Sequence, residues 1–153
     1  MKSYPHLIKG LDPVADAFDG TKYSDIVSLK NHNHAQFIIY KGVGATGTST
    51  ITVEACSNVA AGAVSAIPFS YQAILTNDTA GAFTTVANTG FATTAGSSQL
   101  YVIYVDAEAL VASGYEYVRL KAVEVVDSPV LGGILINLLE PKYDQAVQAT
   151  AIV

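Results

Sequence analysis

From Asp25 onward, apolar residues recur almost throughout at every second position, and short runs of turn residues punctuate the pattern. A period of two builds strands, so this chain has few places left to build helices. Thr48–Cys56 is the clearest instance: Ile51, Val53 and Ala55 point one way, and Thr48, Thr50, Thr52 and Glu54 the other. Further strands are predicted over Asp25–Leu29, Ala35–Tyr40, Ile67–Leu75, Phe83–Ala87, near Phe91, and over Leu100–Val105, Tyr115–Val126 and Leu131–Leu139. Leu100–Val105 is apolar on both faces, which predicts a central strand covered on both sides. Asp106–Ser113 is the one helical piece, with Asp106 placed to cap it, Glu108 in its first turn and Gly114 to close it. About eight strands, one short helix and no βαβ rhythm predict an all-β chain, an antiparallel β-sandwich or barrel-like fold. Its core should hold Ile51, Val53, Leu100, Val102, Ile103, Val118, Leu120, Ile134 and Ile136.

Residues 1–24 read differently. Pro5, Gly10, Pro13 and Gly20 separate isolated apolar groups (Leu7, Ile8, Val14, Phe18) with no sustained period. The expectation is an extended N-terminal arm with at most one helical turn near Val14–Phe18, then a β domain over 25–143 and a tail over 144–153. An arm carrying Tyr4, Leu7 and Phe18 with little local structure to bury them is expected to gain order by docking on a neighbour.

Only 14% of the residues are charged, against about a quarter in an average domain. Such a surface favours contact with other proteins. The net charge of −5, with eight Lys and Arg spread singly, offers no footprint for nucleic acid or for an anionic membrane. The longest apolar run, Val130 to Leu139, is broken by Gly132, Gly133 and Asn137 and has about half the length of a spanning helix. The N-terminus has no apolar stretch after its Lys, so no secretory signal is read, and assembly in a reducing cytoplasm is expected. With Cys56 as the single cysteine, no internal disulfide can form.

Sequence patterns that carry chemistry elsewhere fit structural roles here. Gly42-Val-Gly-Ala-Thr-Gly47 has the letters of a dinucleotide fingerprint, but Thr-Ser-Thr-Ile-Thr-Val follows it. That segment makes a strand where pyrophosphate binding needs a helix N-terminus, so the reading is a flexible hairpin loop. His32 and His34 have the spacing of two metal ligands on one strand face, yet nothing nearby completes a set, and they read as part of a polar turn over 30–34. Asp16, Asp19 and Asp25 lack the alternation of a calcium loop. Strict alternation puts Cys56 on the Thr/Glu face, so either another layer covers that face or a bulge near Glu54 turns the thiol inward. An inert buried thiol is the expectation. No nucleophile elbow occurs, and neither Cys56 nor any Ser has an adjacent His in sequence. The carboxylates are scattered, so any catalytic pair among them would be made in space alone. Asn77-Asp-Thr79 has the letters of a glycosylation acceptor without a secretory route. No enzymatic activity, cofactor or metal is expected.

Tyr115, Tyr117, Arg119 and Lys121 are predicted on one strand face, opposite Val118, Leu120 and Ala122. If the latter are core, the Tyr/Arg face is outward and suited to an interface, where both residue types are enriched. Ordinary strand propensity with half-buried rings explains the same residues. The candidate interface residues are therefore Tyr4, Leu7, Phe18, Tyr115, Tyr117 and Arg119.

Several stretches taken together resemble a known family: Val27-Ser-Leu-Lys-Asn31 with His34, the run Gly42–Cys56, Gln99–Val105, Tyr117–Lys121 and Leu138–Tyr143. The combination, spanning roughly residues 25–143, resembles the head decoration (cement) proteins of tailed bacteriophages. The resemblance implies a β-rich, non-enzymatic virion subunit that sits outside the shell, often as a homotrimer, and bridges units of the major capsid protein. It carries over no active site, and the N-terminal arm lies outside it. A phage tail or head–tail connector protein, and a carbohydrate-binding β-sandwich, are the alternatives.

Overall fold

A computed structural model describes residues 4–143 and 150–152. It is an all-β sandwich of two antiparallel sheets with one short helix, as the period of two predicts. Numbered along the chain, the strands are β1 (His6–Val14), β2 (Thr21–Tyr23), β3 (Val27–Ser28), β4 (His32–Lys41), β5 (Thr48–Cys56), β6 (Val64–Ile67) and β7 (Phe69–Thr76). They continue as β8 (Thr79–Ala80), β9 (Thr84–Val86), β10 (Phe91–Ala92), β11 (Leu100–Asp106), β12 (Tyr117–Val126) and β13 (Gly132–Pro141). The larger sheet runs β1-β13-β4-β11-β7-β8, with β9 also on β7; the smaller runs β10-β5-β12-β2, with β3 on β12 and β6 on β5.

The connections follow from that order. β4 and β13 are neighbours in the larger sheet, β5 and β12 in the smaller, so the β4–β5 and β12–β13 crossings run side by side. Gly42 N donates to Leu131 O at 2.6 Å, and the Thr46 and Ser128 hydroxyls bond at 2.5 Å. A third crossing, from β10 to β11, joins them through Gly44 N to Ser97 Oγ at 2.8 Å and Gly96 N to Ala45 O at 3.1 Å. The glycine-rich loop is therefore fastened and not flexible, with Ala45 buried. Strand β5 follows it where a helix would be needed for a phosphate site.

Inward-facing residues of both sheets make the core: Phe37, Ile39, Ile103, Ile134 and Ile136 from one, Ile51, Val53, Val118 and Leu120 from the other. An aromatic group closes one side. Phe91 stacks on Tyr71 at 3.8 Å and tilts against Tyr101 at 5.7 Å, so β10 of one sheet is held to β7 and β11 of the other. Of the nine expected core residues, Leu100 departs. Its register partners Tyr40 and Ile74 place it on the outer face of the larger sheet, and Val102 shares that face though it is buried.

The expected N-terminal arm is corrected. His6–Val14 pairs with β13 as an edge strand, Thr21–Tyr23 pairs with β12, and residues 15–18 form a turn between them. Two register shifts along β1, around Leu11, hide its strand period from a reading by alternation. Phe18, expected to dock on a neighbour, is 3% exposed inside this subunit. At the other terminus, Ser28 N donates to Ala151 O at 2.9 Å and Ala151 is buried; the rest of the expected tail, 144–149 and 153, lies outside the described residues.

The helix is a 3-10 helix, Ala107–Ser113, closed by Gly114 at φ 71°. Asp106 precedes it without capping it, because its carboxylate is engaged elsewhere.

Candidate functional site on the outer face of the larger sheet

Alternation along each strand and the register between strands assign every side chain of the larger sheet to a face. Across the outer face, one row reads Lys9, Leu135, Ile38, Val102, Gln72, and the next Gly133, Tyr40, Leu100, Ile74. Towards the opposite end come Leu7, Asn137, Gln36, Tyr104, Ser70, and then Leu139, His34, Asp106. The face therefore divides into an apolar end, beside the three crossing loops, and a polar end beside the start of β4.

At the apolar end, Leu11, Pro13, Ile38, Tyr40, Leu100, Leu131 and Leu135 surround a groove of about 450 Å³ whose floor includes Gly133. Tyr40 is 57% exposed and Leu131 and Leu135 nearly half exposed. Gly133 is required there, since a Cβ would stand 2.9 Å from Leu11 O and about 3.1 Å from Pro13. Burying aliphatic and tyrosine surface of this kind against a partner is favourable by ~25 cal/mol per Å². A contiguous apolar area on one face of a protein marks an interaction site.

The predicted site residues scatter. Tyr4 and Leu7 are exposed near the start of β1, and Phe18 is core. Val118, Leu120 and Ala122 are core as expected, and Tyr117, Arg119 and Lys121 face outward on the smaller sheet. Tyr115 lies ahead of β12, off that strand face, and packs against the core. Arg119 is occupied within the subunit: it pairs with Glu54 and lies 3.9 Å over the Tyr23 ring. Cys56 keeps to the Thr/Glu face, since β5 and β12 pair without a shift around Glu54, and it is nonetheless fully buried, with Tyr117 and Val64 as register neighbours. Burial pushes its thiol pKa up, Glu54 adds to the rise, and Arg119 opposes it.

His32 and His34 belong to β4 and not to a turn. Their side chains part: His32 is buried with its ring 6.1 Å from that of His6, while His34 bridges two carboxylates. Among the described residues no group of three or more His, Cys, Asp or Glu is arranged to hold a metal ion.

Two features escaped the sequence reading. The apolar groove was signalled by Phe37-Ile-Ile-Tyr40 and Leu100–Val105, apolar on both faces, but that pattern equally describes a strand covered by its own chain. The second is Lys41, 1% exposed at the core end of β4. Its Nζ donates to Gly47 O at 3.0 Å, Thr94 O at 2.7 Å and Gln99 Oε1 at 3.4 Å, so it ties two crossing loops together. Burial pushes its pKa down. Comparison with protein-family models, curated proteins and solved structures finds no match to this chain.

Proposed function

We propose that this protein is a non-enzymatic structural subunit that seats the apolar end of its larger sheet on another protein. We place that partner as the major capsid protein of a tailed-phage head, with this chain as a decoration subunit, most simply a homotrimer. The observation that carries the docking role is the groove around Ile38, Tyr40, Leu100 and Leu135, an apolar sheet face no part of the described chain covers. The placement on a phage head is supported by the sequence resemblance over residues 25–143. Many copies on a lattice act at high effective concentration, so a modest contact per copy suffices for occupancy. Binding the assembled shell alone would stabilise it by mass action.

The test compares heads lacking the protein with heads to which the intact chain or Leu135→Glu is added. Leu135 is 45% exposed, so the charge is tolerated by the fold. The intact chain should occupy the heads in hundreds of copies and raise their resistance to heat, and the variant should bind at least about tenfold more weakly, as loss of an interface anchor does. Equal binding by both proteins, or copies confined to one vertex, would overturn the reading.

A further inference from the structure

The polar end of the same face has a different make-up from the apolar groove. His34 stands between two carboxylates, with Nδ1 2.5 Å from Asp106 Oδ1 and Nε2 3.1 Å from Glu140 Oε2. The three residues come from β4, β11 and β13, so the imidazole fixes both carboxylates across adjacent strands. Glu140 reaches it from a backbone at φ 52°, a left-handed conformation rare for a residue with a Cβ. Beside this clamp the segment after β8 folds back over β7, where Gln72 Nε2 donates to Gly81 O at 3.0 Å. That return sets Phe83 against Tyr104, with ring centroids 5.0 Å apart and planes tilted by 49°. Phe83 is 59% exposed, so its ring is open to a ligand. Between the aromatic pair and the clamp lies a cleft of about 300 Å³, lined by His34, Ser70, Phe83, Tyr104, Asp106 and Leu139. In the next row of the same face, Asn137 Nδ2 donates to Gln36 Oε1 at 3.2 Å.

We propose that this cleft is a binding site for a neutral saccharide. A pyranose ring has an apolar C–H face and a rim of hydroxyls, each both donor and acceptor. The Phe83–Tyr104 wall fits the face, as aromatic side chains take apolar surface while leaving polar groups free at the edge. Asp106, held through one oxygen by His34, keeps its other oxygen to accept hydroxyl protons, and such charge-assisted bonds are the strong ones. Outside the clamp formed by His34, Asp106 and Glu140, the polar groups nearby are uncharged: the Tyr104 hydroxyl, Gln36, and the Ser70 hydroxyl, which pairs with Thr85 at 3.2 Å. An apolar wall with a few convergent polar groups is the ordinary make-up of a small-ligand site. The site is separate from the apolar groove, so each can be lost without the other.

Amide chemical-shift perturbation by NMR tests this on the full chain. The probes are glucose-, galactose-, mannose- and N-acetylglucosamine-based neutral oligosaccharides, with free arginine as the cationic competitor for an aromatic–carboxylate site. At least one sugar series should shift Gln36, Ser70, Phe83 and Tyr104 selectively. Phe83→Ala should weaken that binding about tenfold and Asp106→Asn should weaken it too, while Leu135→Glu leaves it unchanged. The folded spectrum of each variant separates loss of binding from loss of structure. Shifts with arginine and none with sugars, no shifts at all at tens of millimolar, or undiminished binding by Phe83→Ala would overturn the assignment. Because Leu135→Glu is impaired for capsid docking alone, failure of either function is distinguishable from failure of the other.

Discussion

Arg119 Nε donates to Glu54 Oε2 at 2.8 Å, and its Nη2 lies 2.7 Å from the same oxygen as an ion pair. The two side chains are 14% and 9% exposed on the outer face of the smaller sheet, and Lys121 Nζ stands 3.4 Å from the other Glu54 oxygen. Removing one partner of such a pair strands the other with its desolvation cost unmet. Arg119→Ala is therefore expected to lower unfolding stability by about 2–3 kcal/mol, somewhat less than a fully buried pair would lose. Arg119→Glu should cost more, because it sets a second carboxylate against Glu54. Denaturant titration of Arg119→Ala, Glu54→Gln and the double variant checks this, and additive losses would show that the pair is not coupled.

Lys41 makes stability depend on pH in the alkaline range. Its pKa in the folded chain lies below the ordinary 10.5, because burial disfavours the ammonium. Between the two values the unfolded chain binds more protons, so stability rises with pH through that window. Below the folded pKa both states are charged and the full penalty is present; above 10.5 it is gone. Lys41→Met should abolish this rise. At neutral pH the same variant removes the Lys41 donor from Gly47 O and Thr94 O, while Gln99 Oε1 keeps the Tyr101 hydroxyl at 3.1 Å. The cost of orphaned buried acceptors, about 1–3 kcal/mol, should exceed the gain from removing the charge. Chemical denaturation from pH 7 to 11, compared between the two proteins, reads both effects.

Cys56 should be chemically silent in the native protein. Its thiol is fully buried, and burial raises the pKa, so little thiolate forms at neutral pH. Modification by an aromatic disulfide reagent should follow the fraction unfolded as denaturant is added. Rapid stoichiometric labelling without denaturant would contradict this.

Phe18 should behave as a core residue and not as part of a removable arm. Its ring is 3% exposed, and Gly132, Ile39 and Ser49 are among its neighbours. Phe18→Ala is expected to cost about 3–5 kcal/mol, the range for deleting a buried phenyl ring. Deleting residues 1–20 removes that ring together with the whole edge strand β1, so the truncated chain should unfold at markedly lower temperature. A truncated protein as stable as the intact one would show that the pairing of His6–Val14 with β13 contributes nothing.

Local chemistry alone made the β architecture legible. Thr48–Cys56 and Tyr117–Val126 alternate so regularly that each strand's core face was readable, and Val53, Val118 and Leu120 lie where their period put them. Gly114 ended the helix where expected, because only a left-handed residue closes it at that point. Alternation fails where the pairing is irregular, and β1, shifted around Leu11 and carrying Pro13, therefore read as unstructured. It is also silent about which of two apolar faces the chain itself will cover. Leu100 and Ile38 have the same neighbours in sequence whether they meet a second sheet or stand open, and only the packing of one sandwich layer against the other left their face uncovered. Long-range meetings are equally invisible to a period: His34 finds Asp106 and Glu140 at separations of 72 and 106 residues, and Lys41 finds Thr94 at 53. The side chains themselves determined that this chain would form strands. The order in which those strands pair decided which residues stand together, because a register between strands is a property of the whole sheet.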